Sequence, residues 1–312
     1  MNYAEKIIKI KENMKKAIVG KDEIIDLLIV SMLCSGHVIV EDVPGLGKTT
    51  MVSALAASLG CSFQRIQFTP DVLPSDITGF NMINIQTGEK KFQKGSIMHQ
   101  VILADEINRA SPKTQSALLE AMQENQVTVD GVTYPLAKPF MVLATQNPVD
   151  MSGTYPLPEA QLDRFFMQIS VGYPSFDSEI EILKSRRSVS EEVKLEPVIT
   201  SEEVLELQNA VAKVHCDESI FDYIVRIVNA TRTADGVLLG SSPRGSIALL
   251  KAASGYAMLS GRDYIIPDDV KKMAPHVLRH RVIMRGRVGT ASSSADAINN
   301  ILKNERAPKA VK

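Results

Sequence analysis

The sequence predicts an α/β fold, in which a mainly parallel sheet is covered by helices on both faces and is followed by a helical domain. Short apolar runs alternate with helical stretches in the first half, whereas the apolar residues after about residue 175 keep only helical spacing. We therefore predict a body over residues 1–175 and a helical domain over residues 176–312. The five strand-like runs are HVIVE (37–41), FQRIQ (63–67), VILA (101–104), FMVLAT (140–145) and FFMQIS (165–170).

The amino-terminal elements are predicted to be helix, helix and strand. MNYAEKIIKIKENMKK (1–16) is charged throughout and has the pattern of an amphipathic helix, so we expect no signal peptide and a cytoplasmic protein. The most apolar stretch, IIDLLIVSMLCSGHVIV (24–40), is interrupted by Asp26, Gly36 and His37. It therefore indicates a helix followed by a strand and not a membrane span.

Two segments of the body have the alternation of β-hairpins, and three later positions mark helix starts. MINIQTGEKKFQ (82–93) turns at residues 87–89, and QVTVDGVTYPLA (126–137) turns at residues 130–131. Thr200 opens a capping box, and Ser242 and Pro267 are typical of helix starts in the second domain.

Composition is that of an ordinary globular protein of 312 residues, with 45% hydrophobic and 23% charged residues. The formal net charge of -1 gives no global reason to expect a nucleic-acid or membrane partner. Cys34, Cys61 and Cys216 are far apart and form no metal-spaced pair. We expect them to be buried apolar residues in a reducing compartment.

The stretch EDVPGLGKTT (41–50), between the first strand and a helix, has the features of a phosphate-binding loop. Glycines let the backbone N–H groups approach phosphates at the helix N-terminus, Lys48 supplies a positive charge, and the Thr49 hydroxyl can ligate Mg²⁺. Asp42 stands where the usual pattern has its first glycine, but its carboxylate can point away from the phosphates. The predicted nucleotide-binding residues of the loop are Pro44, Gly45, Leu46, Gly47, Lys48, Thr49 and Thr50.

Polar residues follow two of the predicted strands at the sheet edge where open α/β folds bind ligands. Asp105 and Glu106 end the third strand, and Asn147 follows the fourth. We expect Asp105 to hold Mg²⁺ through its water shell and Glu106 to orient and deprotonate the attacking water. Asn147 can bond the γ-phosphate or the water, although an asparagine before proline is also a common turn former.

Taken together, these stretches resemble the AAA+ ATPases, and within them the MoxR family, over nearly the whole chain. MoxR proteins commonly carry an acidic residue where Asp42 stands. The resemblance implies an αβα P-loop body with a five-stranded sheet, an all-helical lid, and a hexameric ring of identical chains with ATP between neighbours. It also implies a chaperone-like role on partners that bear a von Willebrand factor A domain, with metal-cofactor maturation as one form. The supporting segments are VGKDEII (19–25), EDVPGLGKT (41–49), RIQFTPDVLPSDITG (65–79), ILADEINRA (102–110), ATQNP (144–148), LPEAQLDRFFM (157–167) and SPRGSIAL (242–249).

The resemblance also assigns roles to single residues. Asn147 is similar to the first sensor, Arg164 to the arginine finger that reaches a neighbour's γ-phosphate, and Arg244 to the second sensor from the lid. Ile18 and Val19 resemble part of the adenine pocket. Arg109 is a weaker candidate for an inter-subunit contact, and the two hairpins resemble the helix-2 insert and pre-sensor hairpin of that clade.

Two other function classes stay open beside a protein-remodelling ATPase. A nucleic-acid translocase would need basic hairpin tips, but the 126–137 hairpin has Asp130 at its tip and no basic residue, so nucleic acid is disfavoured. The basic stretch 271–287 is expected to be a solvated helical face. A nucleotide-binding scaffold without turnover is disfavoured because the full set of catalytic residues is present.

Overall fold

A computed structural model describes residues 2–43, 45–86, 88–147, 153–187, 194–285 and 291–308. The elements, in chain order, are α1 (Tyr3–Lys15), α2 (Asp22–Leu33), β1 (Val38–Glu41), α3 (Lys48–Ser58), β2 (Phe63–Gln67), α4 (Pro74–Thr78), β3 (Gly79–Ile83), β4 (Lys90–Lys94), β5 (Val101–Asp105), a 3₁₀ helix (Ile107–Arg109), α5 (Pro112–Glu124), β6 (Gln126–Val129), β7 (Val132–Pro135), β8 (Met141–Gln146), α6 (Glu159–Leu162), β9 (Met167–Ile169), α7 (Phe176–Arg187), α8 (Ser201–Val211), α9 (Glu218–Thr233), β10 (Val237–Leu239), α10 (Pro243–Leu259), α11 (Pro267–Leu278), a second 3₁₀ helix (Arg279–Arg281), β11 (Ile283–Met284) and α12 (Ala291–Asn304).

The five predicted strands form one sheet, in the order β2-β5-β8-β1-β9. Every neighbouring pair in this sheet is parallel, which confirms the predicted fold class. The carboxyl ends of β1, β5 and β8 therefore meet at one edge, and β1 lies between strands that follow it by long crossover connections. Such an edge is where open α/β sheets bind ligands.

Both faces of the sheet are covered, as the continuous apolar runs predict. Along β1, Val38 and Val40 point into the larger core, whereas Ile39 points into a second core on the opposite face. The same alternation places Leu103 in the larger core and Ile102 in the second one. Since successive side chains of a strand point to opposite faces, the sheet is the middle layer of three.

The segment after β9 is helical and shares the larger core with the body. The helix starts predicted at Thr200, Ser242 and Pro267 are observed, and Thr200 forms its capping box with the following residues. Helix α10 packs closely on α2 at Gly255, where a Cβ atom would lie 2.7 Å from the Sγ atom of Cys34. One feature was not predicted, a short antiparallel ribbon of β10 and β11.

The two inserted hairpins are present and contact one another. β3 pairs with β4 and β6 with β7, and the first hairpin begins at Gly79, before the expected residue 82. The Phe92 and Tyr134 rings stack with their centroids 3.8 Å apart, and Asn81 Nδ2 donates to Asp130 Oδ2 at 2.9 Å. These contacts hold the hairpins side by side.

No helix among the described residues is long and apolar enough to cross a membrane. The apolar stretch from residue 24 divides as expected into α2, which has 12 residues, and β1. At 1.5 Å per residue, α2 is about 18 Å long, well short of the ~30 Å hydrocarbon core of a bilayer.

The three cysteines are free and half-buried, and are less enclosed than the sequence predicts. Burial raises the pKa of Cys34 to about 12 and the pKa values of Cys61 and Cys216 to about 11. At neutral pH they are therefore thiols, and the reactive thiolate form is scarce.

Candidate functional site

The phosphate loop joins β1 to α3 with its backbone in conformations that favour glycine. Gly45 has φ +88° and Gly47, the N-cap of α3, has φ +76°. No atom lies within 4 Å of where a Cβ would stand at either glycine, so both positions face open space. The N-terminal N–H groups of α3 can therefore be approached by an anion. Pro44 lies outside the described residues.

Lys48 lies at the mouth of this loop. Its Nζ atom donates to the carbonyl oxygens of Asp42 and Val43, at 3.1 and 3.2 Å. Partial burial lowers the pKa of Lys48, and the carboxylates of Asp105, Asp42 and Glu106 act in the opposite direction. The acids around the cleft thus favour the charged form of the ammonium group.

The Asp42 carboxylate is turned away from the loop, as the sequence predicts. Its Oδ2 atom accepts from the backbone N–H of Val171, from the N–H of Gly172 at 3.1 Å and from the Ser170 hydroxyl at 3.3 Å. The side chain therefore ties the end of β1 to the segment that follows β9, and the phosphate-binding N–H groups are left to the glycines and α3.

Asp105, the last residue of β5, is held by two neighbours. Its Oδ1 atom accepts from the Thr145 hydroxyl at 2.6 Å, and its Oδ2 atom accepts from Arg65 Nη2 at 2.6 Å and Nε at 3.2 Å. Thr145 is buried on β8, and Arg65 lies half in solvent on β2. The aspartate is thereby fixed at the sheet edge between a hydroxyl and a guanidinium.

Glu106 stands just beyond the strand in a left-handed conformation, with φ +57°. Its N–H donates to the Thr145 hydroxyl at 2.8 Å, and its Oε2 atom accepts from Gln67 Nε2 at 3.1 Å. Arg109 Nε lies 3.0 Å from the same carboxylate oxygen. Arg109 was expected to contact another subunit, and in this structure it pairs with Glu106 of its own chain.

These side chains line one cleft of about 230 Å³ at the carboxyl edge of the sheet. Among the predicted site residues, the cleft collects Gly45, Gly47, Lys48, Thr49, Asp105, Glu106 and Asn147. The others lie elsewhere. Ile18 is buried in the larger core, Val19 is half-buried, Leu46 packs against that core, and Thr50 is exposed.

The chemistry of the cleft fits a magnesium nucleotide. Thr49 and Asp105 offer oxygen ligands, and no group of three or more histidine, cysteine or acidic side chains among the described residues could form an all-protein metal cage. Mg²⁺ is usually held by one or two carboxylates together with substrate phosphates. The open positions at Gly45 and Gly47 provide the space that phosphates need beside the backbone.

Arg164 and Arg244 lie on a different cleft, of about 170 Å³. Its lining includes residues 34–37, which precede β1, whereas the phosphate loop follows β1. The four residues of β1 separate these two ends, or about 13 Å at 3.3 Å per residue. The two arginines are therefore at the opposite edge of the sheet from the phosphate cleft of their own chain.

Only part of the basic stretch 271–287 is the solvated face that was expected, and residues 286 and 287 lie outside the described residues. Arg281 is only 6% exposed, His280 contacts the Phe165 carbonyl with its Nε2 atom at 3.0 Å, and Arg279 is half-buried. His280 and Arg281 turn onto the body, where the segment around Phe165 presents backbone carbonyls that need donors, whereas Lys272 and Arg285 are exposed.

The sequence did not single out Arg65, Gln67 or Thr145 as site residues. Arg65 and Gln67 flank the buried Ile66, so they share one face of β2 near its carboxyl end. Their spacing of two residues is the only local signal. Thr145 belongs to an otherwise apolar run, and its role depends on the pairing of β5 with β8.

Comparison with known proteins finds family matches in both halves of the chain. Residues 37–167 match the family described as ATPases associated with various cellular activities, and residues 229–301 match the AAA lid domain. The chain is similar to YeaC of Bacillus subtilis (strain 168), with 53% identity over 93% of this chain and 91% of YeaC. It is also similar to Chaperone MoxR1 of Mycobacterium tuberculosis (strain ATCC 25618 / H37Rv), with 40% identity over 95% of this chain and 81% of that protein. A crystal structure from Cytophaga hutchinsonii ATCC 33406, of a protein provisionally named an ATPase, superposes with a TM-score of 0.90 at 40% identity. It covers 98% of this chain and 96% of the other.

Proposed function

Because the chain belongs to the MoxR family of AAA+ ATPases, we propose that it hydrolyses magnesium ATP at the interfaces of a homo-oligomeric ring and uses the energy to remodel a protein partner. The observation that carries this proposal is the cleft at the carboxyl edge of the sheet. Five functional side chains from two strand ends and the phosphate loop converge there: Lys48, Thr49, Asp105, Glu106 and Asn147.

Each side chain of the cleft has a distinct role in the proposed reaction. The N–H groups of the loop and Lys48 bind the β- and γ-phosphates, and Thr49 and Asp105 would hold the magnesium ion, Asp105 through its water shell. The metal ion, when bound, supplies charge neutralisation on the phosphate oxygens. Glu106 orients the attacking water and accepts its proton, with its backbone fixed by Thr145. Asn147 bonds the water or the γ-phosphate.

The placement of Arg164 supports a site shared between two chains. An arginine at the opposite edge of the sheet cannot reach the phosphates of its own chain, but it can reach those of an adjacent copy in a head-to-tail ring. There its guanidinium would stabilise the charge that spreads over the phosphate oxygens during transfer. Arg244 lines the same cleft as Arg164, which supports an action on the same neighbouring nucleotide.

The first inserted hairpin supports a protein as the remodelled partner. Met82, Ile83 and Ile85 are exposed, and Ile85 is 98% exposed. Apolar side chains that project from a hairpin are suited to contact with other proteins.

We propose that the partner bears a von Willebrand factor A domain, that the ring is a hexamer and that the protein acts in the cytoplasm. A partner should co-purify with a Glu106→Gln variant held in ATP, and an unrelated set of bound proteins would argue against that domain.

Turnover is tested first with Glu106→Gln. This variant keeps the loop, the lysine and the magnesium ligands, so it should bind ATP with unchanged affinity while phosphate release falls by about 10²–10⁴-fold. Glu124→Gln, which alters a glutamate at the end of α5 outside the cleft, is the matched control and should retain full turnover. Equal turnover of wild-type and Glu106→Gln protein would exclude Glu106 as the base.

The shared site is tested by mixing two inactive variants. Lys48→Ala subunits lack a working phosphate loop, and Arg164→Ala subunits lack the arginine for the neighbour, so each should be inactive alone. In a random 1:1 mixture about a quarter of the interfaces combine an intact loop with an intact arginine, and activity should recover to about that fraction. Absence of recovery in assembled mixtures would contradict the shared site.

A nucleic-acid partner is the alternative, and a salt titration distinguishes it. Lys90, Lys91 and Lys94 give the first hairpin some basic character, but Asp130 at the tip of the second accepts a hydrogen bond from Asn81. We expect weak filter binding of DNA and RNA at low and moderate salt. Tight binding that falls steeply with salt would favour a translocase.

A further inference from the structure

The segment that carries Arg164 is held from outside by one buried arginine. Residues 163–166 lie between α6 and β9 in neither helix nor strand, so most of their carbonyl oxygens have no partner in regular secondary structure. Arg281, in the 3₁₀ helix that follows α11, inserts its side chain against this segment with only 2% of it exposed.

All five N–H groups of the Arg281 guanidinium have an acceptor. Nε donates to Asp163 Oδ1 at 2.8 Å, and Nη2 donates to the carbonyl oxygens of Phe165 at 2.5 Å and Asp163 at 3.3 Å. Nη1 donates to the Phe166 carbonyl at 3.1 Å and to the Val277 carbonyl near the end of α11. Four of the five acceptors thus belong to residues on either side of Arg164.

The same segment also touches the start of α10. Asp163 Oδ2 accepts from the Ser242 hydroxyl at 3.2 Å and lies 3.6 Å from Arg244 Nη1. Asp163 therefore links the two lid arginines Arg244 and Arg281. Burial lowers the pKa of Arg281 and the Asp163 carboxylate opposes this effect, which keeps the guanidinium paired with an anion.

We propose that Arg281 is the positioning residue for Arg164, and that through it the lid sets where that guanidinium is presented to the neighbouring subunit. The planar five-donor fork binds carbonyls on both sides of Arg164 at once, so the backbone there cannot shift unless the end of α11 shifts with it. A lysine has three donors around one nitrogen and cannot span the same acceptors.

This inference rests on the proposed role of Arg164 in a shared site, and it makes a distinct kinetic prediction. In Arg281→Lys the phosphate cleft is intact, so the affinity for ATP should be unchanged. Arg164, which each subunit supplies to the cleft of the next subunit, is displaced. We therefore expect kcat to fall by about 10²-fold, the cost of a misplacement of roughly 1 Å. Loss of Arg164 itself should cost more, about 10³–10⁵-fold.

The test is a mixing experiment with three partners. Arg281→Lys subunits should recover to about a quarter of wild-type activity with Lys48→Ala subunits, which supply an intact arginine, and should not recover with Arg164→Ala subunits. The double variant Arg164→Ala/Arg281→Lys should be no slower than Arg164→Ala alone, because the second change acts through the first. If Arg281 had a merely structural role, the double variant would have a lower kcat than Arg164→Ala alone.

Two further variants guard against a folding defect. Arg262→Lys is the matched control, since Arg262 also forms a two-pronged pair in the lid, with Asp269 at 2.6 and 2.8 Å, but touches neither cleft. Its turnover per folded subunit should stay near wild type.

Asp163→Asn weakens one Arg281 contact and keeps the four others, and should lower kcat about 10-fold with the same mixing pattern. Recovery of Arg281→Lys with Arg164→Ala, or equal loss in Arg262→Lys, would overturn the proposal. Failure of the Lys48→Ala and Arg164→Ala pair would instead refute the shared site.

Discussion

Replacement of Asp42 by glycine should destabilise the fold and leave nucleotide binding almost unchanged, although it restores the first glycine of the usual phosphate-loop pattern. The backbone at Asp42 does not have a positive φ, so this position has no conformational need for glycine. Its carboxylate accepts from two backbone N–H groups, those of Val171 and Gly172, and from the Ser170 hydroxyl. Glycine would remove all three contacts.

The size of the loss follows from these contacts. Hydrogen bonds to a charged group stabilise by about 1.5–3 kcal/mol each, and the lower value suits a half-buried side chain, so the two backbone contacts contribute about 3 kcal/mol. The extra freedom of glycine in the unfolded chain adds about 0.5–1 kcal/mol. For a chain of this size, such a loss lowers Tm by roughly 10 °C.

Thermal unfolding and equilibrium binding of a fluorescent ATP analogue test the two parts separately. Asp42→Asn, which keeps one acceptor oxygen without the charge, should lose about half as much stability as Asp42→Gly. The Kd for the analogue should stay within about 3-fold of wild type in both variants, because the phosphates are bound by N–H groups from residue 45 onward. Tighter binding together with an unchanged Tm in Asp42→Gly would refute this account of Asp42.

Two other changes test polar groups that are buried or partly buried. Thr145→Val removes the hydroxyl that accepts from the Glu106 N–H and donates to the Asp105 carboxylate. It should lower the free energy of unfolding in urea by about 2 kcal/mol and kcat by about 10²-fold, whereas Thr128→Val, at an exposed threonine, should do neither. Equal kcat values of Thr145→Val and wild-type protein would contradict this. Burial lowers the pKa values of His37 and His276 to about 4. Between pH 6.5 and 4 the unfolded state therefore binds more protons than the folded state, so the free energy of unfolding should decrease as the pH is lowered. The decrease should be about 3 kcal/mol for His37 alone. Urea unfolding at pH 7 and pH 4.5 measures this loss, which should shrink in His37→Gln; a pH-independent stability would be inconsistent with neutral, buried histidines.

The sheet and the phosphate loop could be predicted because each depends on a local pattern. A buried parallel strand is a short apolar run, and a phosphate loop needs its glycines, lysine and threonine within one turn between a strand and a helix. The strand ends at Asp105 and Asn147 fall on the same sheet edge whatever the strand order. The contacts of Arg65 with Asp105 could not be predicted in this way, because they require β2 to lie beside β5, and the sequence does not specify that order.

The expectation of a solvated face over residues 271–287 was wrong at Arg281, because it did not consider helical phase. Val270, Met273, Ala274 and Val277 form the buried stripe of α11, and Arg281 follows Val277 by four residues, on the same face. An arginine in phase with an apolar stripe is expected to be buried. A buried guanidinium is tolerated only where several hydrogen-bond acceptors lie within its reach. The phase alone therefore indicates a carbonyl-rich segment opposite the end of α11. In this chain that segment is residues 163–166. Asp163 and Arg281 are 118 positions apart in the sequence, so their contact could not be predicted from a local pattern.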